Sequence, residues 1–357
     1  MSEQRRKILL VTSIFPPEIG GPALYVENLQ KQLIKRGFEV QVVTYTMGSG
    51  DIEVGGGSIL RMWKLFVFLL RQKESYDTVV TFNTLSTGLP CALAARLLRK
   101  KKFLIRVGGD YLWERKGSGK TLKEYYTDGL PFSQRLVKSM IRFVLGSFEK
   151  IIVTTDWYKE VLKKEYGVKA KDTILIQNPF AEQAKQREER DDFYFFAGRL
   201  VPLKNPQVII EAMTSVPDMK LSIAGEGPLE SNLRILVDTL GLGERVTFLG
   251  KLSHEKMLET MARAKATVIP SLSEISPNTL LESIAAGTPV ICTDECGYRE
   301  NFDEVVSFFN PRSVEELVAQ IRRHQDDAQY KEIEQKVQSF RIEQTWDTLV
   351  EAYQQIL

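Results

Sequence analysis

The feature that most restricts this chain is a series of short apolar runs that do not alternate with polar residues. Lys7 to Thr12 is the first, and it is rich in isoleucine, leucine and valine. A strand with both faces covered reads this way, as in a parallel sheet flanked by helices. After a turn-rich segment, Pro22 opens a helix that places Val26, Leu29 and Leu33 on one face and stops at Gly37. Glu39 to Thr44 is the next run, followed by Thr78 to Phe82, Phe103 to Val107, Ile151 to Thr154 and Thr173 to Ile176. The gaps between them are long enough for helices, so the order predicts a doubly wound parallel sheet.

A second series repeats the plan. Its runs are Phe193 to Ala197, Leu221 to Ala224, Val246 to Leu249, Thr267 to Ile269, Pro289 to Cys292 and Val305 to Phe308. Between the two lies Ala181 to Asp192, charged and poor in apolar residues, which reads as a linker. The expectation is an α/β protein with two Rossmann-like domains, residues 1–180 and 191–335. Residues 336–357 form a helical tail expected to run back and brace the first domain. A chain of 357 residues is ample for two cores.

Charge and cysteine content exclude several classes. Lys and Arg number 48 against 46 Asp and Glu, which gives the whole molecule no electrostatic case for nucleic acid. Met1 to Lys7 is polar, and the run from Ile8 to Val11 is far shorter than a secretory signal core, so a cytoplasmic location is expected. Cys91, Cys292 and Cys296 lack the spacing of a zinc site or a disulfide framework and read as buried, inert thiols.

In an open parallel sheet, ligands bind beyond the carboxyl ends of the strands, where loops lead into helix N-termini. Four such loops carry candidates. Pro16 to Pro22 contains Gly20 and Gly21, which admit an anionic group or simply a tight turn. Gly198 to Asn205 carries Arg199 and Lys204, two cations able to converge on a diphosphate, or else two solvated charges. Ala224 to Pro228 contains Gly225 and Gly227 ahead of a helix opened by Pro228. Glu274 to Glu282 brackets a polar turn, Ser276, Pro277, Asn278, Thr279 and Leu280, with two carboxylates. Free amides there suit phosphate oxygens, and the carboxylates suit sugar hydroxyls.

Taken together, the run from Phe196 to Arg299 resembles the donor-binding half of glycosyltransferase family 4. The matching residues are Gly198, Arg199, Lys204, Gly225-Glu226-Gly227-Pro228, Glu274 and Glu282. The resemblance extends to the Gly20-Gly21 loop and covers nearly the whole chain. It implies the GT-B fold and a retaining hexosyltransferase, with a nucleoside-diphosphate sugar as donor and UDP favoured over GDP. It also implies a glycan or lipid-linked acceptor. By similarity, Arg199 and Lys204 neutralise the diphosphate, and amides at Asn278, Thr279 and Leu280 contact phosphate. Glu282 takes the ribose hydroxyls and Glu274 those of the transferred sugar. Phe248-Leu249-Gly250-Lys251 resembles the edge that holds the base.

The chain departs from the family where many members carry a histidine, in the loop after a central strand of the first domain. Its two histidines, His254 and His324, both lie in the second half, and Gly108 stands where histidine is expected. Asp110, in the same loop, is then the candidate for a catalytic or sugar-orienting carboxylate, with an N-capping residue as the other reading. No Asp-x-Asp stands at a strand end, so neither a metal nor another cofactor is expected. A nucleotide-sugar epimerase and a sugar-nucleotide-binding protein with weak turnover are the competing functions. The oligomeric state is not legible. Three basic and apolar stretches, Met62 to Arg71, Leu97 to Arg106 and Phe132 to Lys150, read either as helices with solvated ends or as a peripheral contact with the inner membrane surface.

Overall fold

The computed structural model describes residues 6–18, 21–48, 50–117, 119–180, 190–340 and 343–357. The chain divides into two compact units. The first contains 6–112, 130–178 and 346–357, and the second contains 113–129 and 179–345 within those described stretches.

Through residue 178 the elements run β1 (Lys7–Thr12), α1 (Gly21–Lys35), β2 (Glu39–Thr44), β3 (Ile52–Glu53), α2 (Ser58–Arg71), β4 (Thr78–Thr81) and α3 (Gly88–Leu97). They continue with β5 (Lys102–Val107), α4 (Tyr111–Lys116), α5 (Leu122–Thr127), α6 (Phe132–Leu145), β6 (Lys150–Val153), α7 (Asp156–Tyr166) and β7 (Thr173–Leu175). The apolar runs become strands because parallel pairing in register leaves their side chains buried on both faces. The sheet order is β3-β2-β1-β4-β5-β6-β7, and every pair is parallel. The order reverses between β1 and β4, and there Ser13 N–H donates to Asn83 Oδ1 at 2.8 Å, joining the loops that leave the two strands.

The second half runs β8 (Asp191–Ala197), α8 (Gln207–Ala212), β9 (Leu221–Ala224), α9 (Glu230–Thr239), β10 (Val246–Gly250), α10 (His254–Arg263), β11 (Ala264–Ile269) and α11 (Asn278–Ala285). It ends with β12 (Val290–Thr293), β13 (Val306–Phe309), α12 (Val314–Gln325), α13 (Asp327–Ser339) and α14 (Trp346–Ile356). Its sheet order is β10-β9-β8-β11-β12-β13, again all parallel, and it reverses between β8 and β11. Both sheets are therefore Rossmann-like and doubly wound.

Three boundaries differ from the sequence expectation. β8 begins at Asp191, inside the stretch read as linker; residues 181–189 of that stretch, like Gly20, lie outside the described residues. The tail is broken. The described residues of the tail up to 345 pack with the second unit, where Phe340 joins Phe180 and Phe302, and among the described residues of the tail only α14 packs with the first. There Leu349, Val350, Tyr353 and Leu357 enter one core with Ile8, Leu10, Val26 and Leu29, and the Tyr353 hydroxyl meets that of Tyr25 at 3.2 Å. Each such buried side chain contributes about 1.5–3 kcal/mol.

The third difference is 113–129, whose described residues precede 178 in the chain yet pack with the second unit. Thr121 and Glu124 form a reciprocal capping box at the start of α5. Glu124 also accepts from Arg312 at 2.5 Å, and Leu122 N–H donates to Ser273 Oγ at 2.9 Å. Nothing in the local pattern of 113–129 announces partners some 150 to 190 residues away. All three cysteines are free and buried, and burial pushes the Cys91 thiol up to about 12.

Candidate functional site

The place where strand order reverses in the second sheet is bordered by the loops leaving β8 and β11, and these carry Lys204 and Glu274. The β8 loop ends in a 3₁₀ turn, Pro202–Lys204, closed by Asn205 in the left-handed region at φ 50°. Asparagine tolerates that region because its side chain can bond locally. Here the Asn205 amide donates to the carbonyls of Pro270 and Pro311, each at 3.1 Å. Leu272 N–H donates to the Leu203 carbonyl at 2.9 Å, so backbone also joins the two loops. Lys204 is thereby carried to Glu274, and its ammonium donates to Glu274 Oε1 in a short ion pair.

Glu274 is held from three sides. Its N–H donates to the Glu295 carbonyl at 2.8 Å, its carbonyl accepts from Gly297 N–H at 2.8 Å, and Ser271 Oγ donates to Oε1 at 2.5 Å. The carboxylate is nearly buried and fixed by these bonds. Ser271 and Asn205 were not singled out from sequence. Their signal, a polar residue at the end of an apolar strand or after a basic turn, is common in loops without function.

Glu282 lies in the second turn of α11 with its side chain mostly enclosed. Burial raises its carboxyl above the ordinary value of 4.5, while His254, whose Nε2 stands 3.9 Å from Oε1, opposes the shift. The helix begins after Pro277, an N-cap residue that makes no side-chain cap hydrogen bond. Ser276 and Thr279 are half-buried, Asn278 is exposed and the Leu280 side chain belongs to the core, so from Leu280 only the backbone can face a ligand. The amide ends and partial positive charge of α11 thus lie in the same loop as Glu274.

Gly225 and Gly227 are also required by the packing of the loops themselves. A β-carbon on Gly225, whose φ is +134°, would stand 1.9 Å from the Gly198 carbonyl oxygen. One on Gly227 would stand 2.4 Å from that of Leu200. The close approach that these glycines permit is of the β9 loop to the β8 loop. Gly198 itself meets only ordinary contacts. Gly225 N–H also donates to the Gly250 carbonyl at 2.8 Å, which bonds the β10 edge to the same stack. On that edge Leu249 packs partly inward and Lys251 is exposed. Arg199 is exposed too, and its guanidinium makes no hydrogen bond or ion pair among the described residues.

In the first unit, Gly21 begins α1. Asp110 departs from the catalytic expectation. It is fully buried, and Tyr166 donates its hydroxyl to Oδ2 at 3.0 Å. Tyr158 bonds the neighbouring Gly109 carbonyl at 2.9 Å. A carboxylate so enclosed fastens the loop after β5 to α7 and is not presented to an acceptor. At Gly108, a β-carbon would meet Arg106 Nη1 at 3.2 Å, so a larger side chain would crowd that guanidinium. Arg106 is itself buried, 3.9 Å over the Tyr25 ring and bonded to Asn178. His324 is also buried and bonded to the Gln320 carbonyl; burial lowers it to about 4, which marks a structural imidazole.

Two family descriptions cover most of the chain. "Glycosyltransferase Family 4" matches residues 19–182, and "Glycosyl transferases group 1" matches residues 177–340. The chain belongs to the family 4 glycosyltransferases. Among the relatives of this chain, the D-inositol 3-phosphate glycosyltransferase of Mycobacterium sp. (strain KMS) is 37% identical over 117 residues. That match covers 31% of this chain and only 26% of the relative. An uncharacterized glycosyltransferase of Methanocaldococcus jannaschii is 24% identical over 330 residues, with 82% of each chain covered. In fold, the chain is similar to sucrose-phosphate synthase from Thermosynechococcus elongatus, with a TM-score of 0.77, 21% identity and coverage of 99% of this chain and 98% of that one. It is also similar to Anabaena HepE, solved in complex with UDP, with a TM-score of 0.72, 18% identity and 98% of each chain covered. These neighbours are GT-B glycosyltransferases, and GT-B is the fold of this chain.

Proposed function

We propose that this glycosyltransferase moves a hexose-type sugar from a nucleoside-diphosphate sugar to a hydroxyl of a glycan or lipid-linked acceptor in cell-surface polysaccharide or glycoconjugate synthesis. UDP is preferred to GDP, the anomeric configuration is retained, and neither a metal nor another cofactor takes part. The work is done on the cytoplasmic side, with peripheral membrane contact. The observation that carries the reading is the Lys204–Glu274 pair beside the start of α11, at the point where strand order reverses in the second sheet.

In this reading Lys204 and Arg199 meet the negative charge that gathers on the departing diphosphate. The amides of Asn278, Thr279 and Leu280 bind its oxygens. Lys204 then exchanges part of its bond to Glu274 for one to phosphate, and Glu274, still held by Ser271, turns its remaining lone pairs to sugar hydroxyls. Glu282 accepts from the ribose. The leaving phosphate takes the acceptor proton, so no separate base is needed, in keeping with the buried Asp110. The UDP preference draws support from the UDP complex of HepE.

The test is a mass-spectrometric screen of nucleotide sugars for binding and slow hydrolysis, repeated with Lys204→Ala and Glu282→Ala. One nucleotide class is expected to bind. Removing Lys204 should lower turnover about 100-fold or more, the scale of losing one charge-stabilising donor. Turnover unchanged in a folded Lys204→Ala would refute the assignment. Free epimerised donor as sole product would replace transfer by epimerisation, and donor binding without turnover on a broad acceptor panel would reduce the protein to a binder.

A further inference from the structure

The first unit carries a charge asymmetry that sugar transfer does not explain. Stretches 58–71, 88–102 and 132–145 contain three, five and three Lys or Arg residues and no Asp or Glu, in a chain whose totals are 48 and 46. The helices α2, α3 and α6 lie in these stretches, with α3 packed against both of the others. Arg96 of α3 lies 5.3 Å over the Phe143 ring of α6. Lys101, Lys102 and Lys138 are paired with Asp77, Glu149 and Glu165, and the other eight cations have no carboxylate partner among the described residues.

The same helices expose large apolar side chains. In α6, Ile141, Val144 and Leu145 face the core. Phe132, Leu136, Met140 and Phe143 recur every three or four residues on the opposite, exposed side, with Phe132 69% exposed. On α2, Ile59 is 85% and Trp63 61% exposed, and on α3, Leu97 is 63% exposed. A helix apolar on both sides but buried on one lacks a second apolar phase.

We infer that the outer surface of α2, α3 and α6 is a docking face for an anionic phospholipid bilayer. Aromatic and aliphatic side chains enter the boundary between headgroups and acyl chains, while the cations beside them meet lipid phosphates. A second copy of the chain is a poor occupant, because two such faces brought together would oppose uncompensated cations. The contact is peripheral, since no helix among the described residues is long and apolar enough to cross a membrane.

Co-sedimentation of the full chain with vesicles tests this, using phosphatidylcholine alone or mixed with phosphatidylglycerol. Binding is expected only to the mixed vesicles and should weaken with salt. Arg99→Glu with Lys100→Glu should lower partitioning about 30-fold or more, at about fivefold per cation lost. Phe132→Ser with Leu136→Ser should also abolish most binding. Both pairs are exposed, so the melting temperature should hold, and Lys331→Glu on the second unit should change nothing. Equal binding to both vesicle types, no binding to either, or self-association removed by Phe132→Ser with Leu136→Ser would overturn the inference. The inference rests on the peripheral membrane contact of the proposed function and names the face that makes it; because the readout does not depend on sugar transfer, lost vesicle binding and lost turnover are told apart.

Discussion

Replacing Gly225 by alanine separates two explanations of the glycine loop. The added β-carbon would stand 1.9 Å from the Gly198 carbonyl oxygen and 2.9 Å from its carbon, and both are backbone atoms that cannot swing aside. Overpacking of this kind costs about 1–3 kcal/mol. The φ of +134° adds strain of about 1–3 kcal/mol for any side chain. A total near ~4 kcal/mol lowers the melting temperature of a domain of this size by roughly 8–16 °C. Gly243→Ala is the control, because no atom lies within 4 Å of its β-carbon position. Thermal unfolding by circular dichroism and donor titration by calorimetry are measured on both variants. The expected result is a large loss of stability for Gly225→Ala and none for Gly243→Ala. Melting within about 2 °C of the parent, combined with lost nucleotide binding, would refute the reasoning and give Gly225 a direct role in binding the donor.

Two further outcomes follow from burial. Because the folded pKa of Glu282 is raised by desolvation, its contribution is most favourable below the unfolded value and is lost as pH rises through the folded one. Glu282→Gln should therefore melt higher than the parent at about pH 8 and equal to it at about pH 4; an equal gain at both would exclude the titration. Tyr353→Ala removes a fully buried ring from the core shared by α1 and α14 and should cost about 3–5 kcal/mol. Hydrogen exchange should report lost protection in β1 and α1 but not in β8 and β11, whereas equal loss in both units would show that α14 does not serve the first alone.

The parallel sheets were legible because burial on both faces leaves a mark in each short window, an apolar run without alternation. The loops at the strand ends were legible for a related reason, since Arg199, Lys204, Glu274 and Glu282 are charged residues in the segments that follow such runs. The positions of these residues after the strand ends therefore came from the chain itself, while their roles toward a donor belong to the proposed function. What tertiary structure decided were contacts between distant segments. The Asn205 amide reaches Pro270 and Pro311, Ser271 and Lys204 converge on Glu274, and 113–129 joins the second unit through Ser273 and Arg312. Asp110 shows the same division. Its residue type and loop suggested a catalytic or sugar-orienting carboxylate or an N-cap, but it is buried and bonded to a tyrosine 56 positions away, and only the packing of α7 on the loop after β5 could decide that. At Gly225, too, only the tertiary structure shows that the close neighbour is the chain's own Gly198 backbone. Local patterns record which surfaces a segment must bury; they do not record which distant atoms will cover them.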